Sequence, residues 1–388
     1  MTTLEHYAEI SPSPSPIDRS SVQSVAFVPM SAVTEQGRLA NPELRPLAEV
    51  AKGYTYFERG DVLMAKITPC MENGKAALVD DLATAQGFGS TEFHVLRPRA
   101  GVDARFLFYL IWNQRFRDEA AKHMTGSAGQ KRVPASYLRQ ARVTLVEPRE
   151  QRRIADVLDK ADTIRRKRKE AVTLTEQLLR SIFLDMFGDP VTNPKGWPVK
   201  RLAELAHITT GNTPSRAVPE YFGDEIEWIK SDNINTPSHY LTKAEEGLSS
   251  GGKAVGRVAP AGSSLVTCIA GSPECIGNVA LADRDVAFNQ QINALTPKEA
   301  VDHRFLYALL FVGKRLVQSA STNSMKGMVS KGRLEEVRVP LPSSLLQKKF
   351  GATFDAMLRA IQREDTASAE SERLFQSIVH RVFRDSPC

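Results

Sequence analysis

Cysteine and histidine are the residues whose spacing most directly betrays metal or nucleophile chemistry, and here neither is spaced for it. Cys70, Cys268, Cys275 and Cys388 form no Cys-x-x-Cys pair, and the Cys268 to Cys275 gap is too wide for a zinc knuckle. They read as reduced thiols, with no metal site. The histidines His6, His94, His123, His207, His239, His303 and His380 make no ligand-spaced pair and read as surface or hydrogen-bonded core residues. A phosphate-binding loop needs a lysine and a hydroxyl after its glycines, and Gly251-Gly252-Lys253-Ala254 has neither the spacing nor the hydroxyl. No glycine-rich turn opens a cofactor-binding βαβ unit. No Asn-Pro-Pro-aromatic tetrad for base methylation is present, since Asn193-Pro194-Lys195-Gly196 is a turn. Nucleophile elbow, zinc-protease helix and nuclease carboxylates are likewise missing. These observations argue against an enzyme and for a chain that binds.

Composition narrows what it binds. The chain has 388 residues, 42% hydrophobic and 25% charged, with a formal net charge of +6. That is the balance of a soluble globular protein of two to three domains. The basic excess, with a pI of about 9.1, favours a polyanionic partner. No apolar run is long enough to cross a membrane and no secretory signal opens the chain, so a cytoplasmic location is expected.

The elements that would carry binding residues are organised by a repeat. Val133-Pro134-Ala135-Ser136-Tyr137-Leu138 and Ala141-Arg142-Val143-Thr144-Leu145 match Val329-Ser330-Lys331-Gly332-Arg333-Leu334 and Val337-Arg338-Val339-Pro340-Leu341, 196 positions later. The same offset relates Gln151 to Gln347, Asp159 to Asp355, Leu178 to Leu374, Ser181 to Ser377 and Phe187 to Phe383. Upstream, with small insertions, Arg105-Phe106-Leu107-Phe108 parallels Arg304-Phe305-Leu306-Tyr307. Each copy reads as a globular part followed by a helix. In the globular parts, Asp61 to Ile67, Ala76 to Val79 and Ser264 to Ile269 suit strands, while Arg105 to Lys122 and Arg304 to Ser319 suit helices. Glu150 to Phe187 has no Gly or Pro and places Val157, Ala161, Ile164, Ala171, Leu178 and Ile182 on one coiled-coil-like seam, with Arg168 and Thr175 in the remaining seam positions. Gly188-Asp189-Pro190 should stop it. Leu345 to Phe383 repeats the pattern with Phe350, Phe354, Met357, Ile361, Phe375, Ile378 and Val382. A helix of about 35 residues spans roughly 50 Å, so two such helices could act as a spacer.

These residues resemble a known family, the specificity subunits of Type I restriction–modification systems. Three stretches carry the resemblance in the first copy. They are Gly60-Asp61-Val62-Leu63-Met64-Ala65-Lys66-Ile67-Thr68-Pro69-Cys70-Met71-Glu72-Asn73-Gly74-Lys75, the loop Gly126 to Arg132, and Pro148-Arg149-Glu150-Gln151-Arg152-Arg153-Ile154-Ala155. In the second copy they are Gly211-Asn212-Thr213-Pro214-Ser215, Trp228-Ile229-Lys230-Ser231-Asp232 and Asn289-Gln290-Gln291-Ile292. The resemblance implies an α+β fold of two similar target recognition domains separated by two long antiparallel coiled-coil-like helices, with a pseudo-twofold internal repeat. Boundaries at 1–147, 148–188, 189–342 and 343–388 follow for first domain, first helix, second domain and second helix. It implies a non-catalytic subunit that reads a bipartite target in double-stranded DNA. Its partners would be two methyltransferase subunits that carry S-adenosylmethionine, and a motor-nuclease restriction subunit for cleavage. No cofactor would be bound by this chain. The family's lead-in before the first recognition domain is present at Trp197 for the second copy and reduced at Met1 to Ser20, which is Ser/Pro-rich. The second helix lacks the basic run Arg165-Arg166-Lys167-Arg168-Lys169 of the first.

Reading DNA needs Arg or Lys for guanine, Asn or Gln for adenine, and small hydroxyls near phosphates. On that logic the candidates in the first domain are Lys66, Thr68, Asn73, Lys75, Ser127, Gln130, Lys131 and Arg132. In the second they are Asn212, Thr213, Ser215, Arg216, Lys230, Ser231, Asn233, Gln290, Ser324 and Lys326. Each could instead be a solvated turn or a backbone cap. The basic run at Arg165 to Lys169 either contacts spacer phosphates or is a solvated helix face. Two other classes stay open: a free-standing DNA-modifying enzyme of unknown chemistry, and a coiled-coil scaffold without DNA contact.

Overall fold

The computed structural model describes residues 1–17, 22–127, 129–322 and 327–383. The chain forms two compact units. One is residues 1–168 with 367–388, the other residues 169–366. Each unit therefore joins one globular part to a stretch of both long helices, Pro148–Phe187 and Ser344–Val382.

The repeat is a repeat of topology. In the first unit an antiparallel sheet runs Ala8–Ile10, Phe93–Pro98, Val62–Ala65, Ala76–Leu78. In the second unit Ala206–Thr210, Ile292–Pro297, Ser264–Thr267 and Val279–Leu281 follow the same order. A second sheet in the first unit runs Glu43–Pro46, Ser24–Val28, Gln86–Gly89, Thr55–Glu58, and its counterpart runs Gly247–Leu248, Phe222–Ile229, Val286–Phe288, Val258–Ala259. In both, the two middle strands are parallel and the outer pairs antiparallel. The predicted strands at 61–67, 76–79 and 264–269 fall on Val62–Ala65, Ala76–Leu78 and Ser264–Thr267. Their near-continuous Val, Leu and Ala content fits strands with both faces covered.

Three readings of the sequence are corrected. First, each predicted single helix is two. Asn113 ends Ala104–Trp112 and its side chain caps Gln114–Lys122 by accepting from Phe116 N at 2.9 Å. Gly313 separates His303–Val312 from Lys314–Ser319. A capping amide or a glycine restarts a helix without disturbing its apolar spacing, which is why periodicity runs through both breaks. Second, the lead-in to the first domain keeps its short helix and flanking strands, though nothing among residues 1–20 matches Trp197. Thr2–Thr3, Leu4–Tyr7 and Ala8–Ile10 form the same strand, helical turn and strand as Val199–Arg201, Leu202–Leu205 and Ala206–Thr210. Leu4 N donates to Ala141 O at 2.8 Å as Leu202 N donates to Val337 O at 2.9 Å. Buried Tyr7 locks this lead-in, donating to Thr144 O at 2.9 Å and accepting from Val146 N at 2.6 Å.

Third, the seam of the first long helix is turned by about one residue. Val157, Ile164 and Leu178 are 41%, 51% and 52% exposed. The buried face is instead Gln151, Ile154, Ala155, Leu158 and Asp162 in the first unit, and Leu179, Phe183 and Phe187 in the second. Counting apolar residues missed this face because it includes an amide and a carboxylate. On the second helix, Phe350, Phe354, Met357, Ile361 and Phe375 are buried as their spacing predicts. The helix stretches run antiparallel within each unit. In the first, Arg165 pairs with Glu372 at 3.1 Å while Arg168 donates to Ala367 O. In the second, Phe183 and Phe187 both pack on Phe350, with ring centroids 5.6 and 5.3 Å apart. Burying one such ring stabilises by about 1.5–3 kcal/mol. A surface ion pair contributes roughly 0–1, so the aromatic contacts dominate. Gly188, at φ +80°, ends the first helix, its N–H bonding Leu184 O at 2.8 Å, and Pro190 follows.

Candidate nucleic-acid interface

In each unit one three-residue turn gathers the loops that carry the candidate residues. In the first unit it is Ser90-Thr91-Glu92. Ser90 N donates to Val28 O at 3.1 Å, Glu92 N to Ser90 Oγ at 3.2 Å, and Lys66 N to Glu92 O at 2.9 Å. In the second it is Asn289-Gln290-Gln291. Asn289 N donates to Ile229 O at 3.0 Å, Gln291 N to Asn289 Oδ1 at 3.0 Å, and Cys268 N to Gln291 O at 2.8 Å. The loop before the next helix then closes in the same way, Val133 N onto Lys66 O and Val329 N onto Cys268 O, both 2.9 Å.

This architecture brings together part of the first set of candidates. Lys66 and Thr68 face the loop of Lys131 and Arg132, with Thr68 N donating to Lys131 O at 3.0 Å. Ser127, Gln130 and Lys131 are exposed on that loop. Arg132 is engaged by Glu92 in a bidentate pair along its Nε–Nη2 edge, with Nη2–Oε1 at 2.8 Å and Nε–Oε2 at 2.9 Å, and it holds the Glu92 carboxyl below the usual carboxylate range. Asn73 and Lys75 point elsewhere. Asn73 Nδ2 donates to Glu35 at 2.9 Å and Lys75 Nζ to Met30 O at 3.3 Å, tying their turn to the 30–35 segment. That turn requires Gly74, whose φ is +84° and where a Cβ would lie 2.9 Å from Arg117.

In the second unit Asn212, Thr213, Ser231 and Gln290 converge on the central turn. Thr213 Oγ1 donates to Gln290 Oε1, Asn212 N donates to Phe288 O at 3.0 Å, and Ser231 Oγ donates to Gln291 Oε1 at 3.4 Å. Ser215 is exposed beside them in sequence, its Oγ accepting from Ala217 N. Arg216 and Lys230 share Glu246, at 2.6 and 2.9 Å, and both lie over the Trp228 ring at 5.3 Å. Lys230 and then Arg216 hold the Glu246 carboxyl low. Asn233 is buried and occupied as a cap. Its Oδ1 accepts from Lys230 N at 3.0 Å and its Nδ2 reaches Lys243 O at 3.1 Å. Ser324 and Lys326 lie outside the described residues.

Sequence reasoning missed Glu92 and Gln291, the equivalent residues of the two turns. They differ in type, so identity along the repeat did not flag them. The basic run of the first helix is also resolved into parts. Arg165 lies over the Trp112 and Phe375 rings at 5.7 and 4.9 Å and pairs with Asp162 at 2.7 Å. Arg166 pairs with Asp162 at 3.0 Å, and Arg38 reaches the same carboxylate. Burial pushes Asp162 up, but Arg38 and Arg165 outweigh it and hold the carboxyl low. Lys167 and Lys169 are exposed. The run is therefore mostly internal wiring of the first unit. Among the described residues no group of His, Cys, Asp and Glu is arranged to hold a metal ion, and no helix is long and apolar enough to cross a membrane.

Comparison with known proteins places this architecture. The family model for the Type I restriction modification DNA specificity domain matches twice, at residues 28–174 and 194–371. The EcoAI specificity subunit of Escherichia coli is 38% identical over 156 residues, which is 39% of this chain and 26% of that subunit. The MjaIX specificity subunit of Methanocaldococcus jannaschii is 30% identical over 200 residues, 50% of this chain and 45% of that one. The matched region thus spans about a quarter to under half of these relatives' lengths. The S subunit of the Type I system of M. genitalium shares the fold at a TM-score of 0.61 and 12% identity, covering 99% of this chain and 96% of that one. A chain solved in work on assembly of the type I R-M system does so at 0.56 and 20%, covering 100% and 97%. Two specificity domains in tandem, each with the same sheet orders and the same central turn, make this chain a member of the Type I restriction–modification DNA specificity family.

Proposed function

We propose that each unit reads one half of a bipartite DNA target, and that the chain does so inside a complex with two methyltransferase subunits and, for restriction, a motor-nuclease subunit. The observation that carries this reading is the duplicated turn, Ser90-Thr91-Glu92 and Asn289-Gln290-Gln291, which gathers exposed amide, hydroxyl and basic side chains in both units. Such side chains suit base edges and phosphates. In the first unit the readers are Lys66, Thr68, Ser127, Gln130, Lys131 and Arg132. In the second they are Asn212, Thr213, Ser215, Arg216, Lys230, Ser231 and Gln290, with Ser324 and Lys326 assigned from the sequence alone. Asn73, Lys75 and Asn233 support loop shape.

Docking of the partners is supported by apolar residues that the long helices leave outward. Val157 and Ile164 lie on the first unit's stretch, seven residues apart, and Leu174 and Leu178 on the second's, 55% and 52% exposed. Heptad-spaced exposed Leu and Ile suit another helix. S-adenosylmethionine would sit on the methyltransferase partners, and this chain would supply the sequence to be modified. The purified chain alone is expected to transfer no labelled methyl group to DNA, and to support transfer once the methyltransferase subunits are added. Methyl transfer by the rigorously purified chain would instead favour a free-standing modifying enzyme.

A further inference from the structure

Both units fasten the globular part to the start of a long helix through the same two side chains, and neither belongs to the reading loops. In the first unit Gln151 is 2% exposed. Its Oε1 accepts from Asp103 N at 3.2 Å and its Nε2 donates to Val146 O at 2.8 Å. In the second, Gln347 is 1% exposed and makes the same two bonds, from Asp302 N at 3.0 Å and to Pro342 O at 2.8 Å. Each amide thereby ties together the cap of a globular helix, the chain entering the long helix and the long helix itself.

An arginine braces each amide. Arg105 grips Asp103 at 2.9 Å and reaches across to Asp156 and Asp159 of the long helix at 2.8 and 2.9 Å. Tyr109 Oη adds a bond to Asp159 at 2.8 Å. Arg304 grips Asp302 and reaches Asp355, both at 2.6 Å. The reach differs because Ala352 stands where the first unit has Asp156. A Cβ at Gly351 would lie 2.5 Å from the Arg304 guanidinium, whereas the equivalent position in the first unit is Ala155. Burial would raise Asp103 and Asp302, but Arg105 and Arg304 hold both carboxyls low, so both braces stay charged at neutral pH.

A bidentate guanidinium held between two carboxylates fixes an angle as well as a distance, which an ammonium cannot do. We infer that Gln151 with Arg105, and Gln347 with Arg304, are positioning residues that set the angle at which each reading part stands on its long helices. They thereby fix the length of the unread DNA spacer, without touching DNA or choosing either half-site sequence. This rests on the bipartite reading proposed above.

The test uses the full chain assembled with its methyltransferase subunits. The substrate is a duplex library carrying both half-sites with spacers from two base pairs shorter to two longer than the natural one. The wild-type complex should methylate a single spacer. Arg304→Lys keeps the charge but loses the planar guanidinium fork that fixes the angle between the two carboxylates. Its methylation at the neighbouring spacers, relative to the natural one, should rise at least tenfold, with both half-site sequences unchanged. Arg105→Lys should do the same from the other unit. A spacer profile identical to wild type overturns the inference, whatever happens to total activity, because a merely structural role lowers activity without broadening the profile. A changed half-site sequence also overturns it. If both variants fail to assemble, these residues are folding determinants and the inference falls. A wild-type complex with an ungapped target would instead sink the bipartite reading itself, so the two failures are distinct.

Discussion

Lengthening both long helices by four residues should lengthen the unread spacer of the methylated site by close to two base pairs and leave both half-sites as they are. A helix rises about 1.5 Å per residue, so four residues add about 6 Å. B-DNA advances about 3.4 Å per base pair. The insertion belongs between Arg168 and Thr175 in the first helix and near Ser368 in the second. There the chain passes from one compact unit to the other, at Arg168–Lys169 and Thr366–Ala367. Neither site carries an aromatic residue, and four residues turn a helix only about 40° beyond a full turn, so neither aromatic cluster is broken. A single insertion should fail, because one helix would buckle against an unchanged partner. The readout is the methylated motif in cells carrying the doubly lengthened subunit, with duplex binding across a spacer series as a second measure. A complex that binds and methylates with its original spacer would reject the ruler.

Replacing residues 197–342 with the matching segment of a relative should change one half of the recognised target completely and the other not at all. The segment begins at Trp197, whose indole N–H bonds Phe187 O at 2.9 Å, and ends at Pro342, whose carbonyl receives Gln347. It thus carries the second unit's globular part and leaves both long helices in place. The core of the first unit, from Leu4 and Phe106 to Phe375 and Phe383, includes none of the exchanged residues. Each mismatched base pair in a specific site typically costs about 1–3 kcal/mol. A new half-site should therefore replace the old one by several orders of magnitude in preference. A swap that altered both halves would show that the units do not read separately.

The outline of this molecule was readable because a repeat at constant offset survives in the residues that contact the long helices. Gln151 and Gln347 are identical for that reason, as are Asp159 and Asp355. The reading loops are the reverse case. Glu92 and Gln291 stand at equivalent places, yet only the backbone bonds around them reveal it. The first lead-in was hidden because strand and helical turn there occupy only Thr2 to Ile10, too short for periodicity to register. The seam of the first helix was misjudged because Gln151, Asp162 and Arg165 pack inward by satisfying one another and their neighbours. A count of apolar residues assigns such positions to solvent. All of the chosen first-domain contacts but Asn73 and Lys75 lie on one loop pair, since an amide or ammonium can tie a turn as readily as it can read a base.

The most direct measurement is the pattern of methylated bases in the host genome with and without the gene for this chain, its methyltransferase partners being left intact. The expected result is one motif made of two short specified halves around a gap of fixed length, lost entirely when the gene is removed. A motif without a gap, or a gapped motif that persists in its absence, would contradict a chain built from two separate readers of DNA.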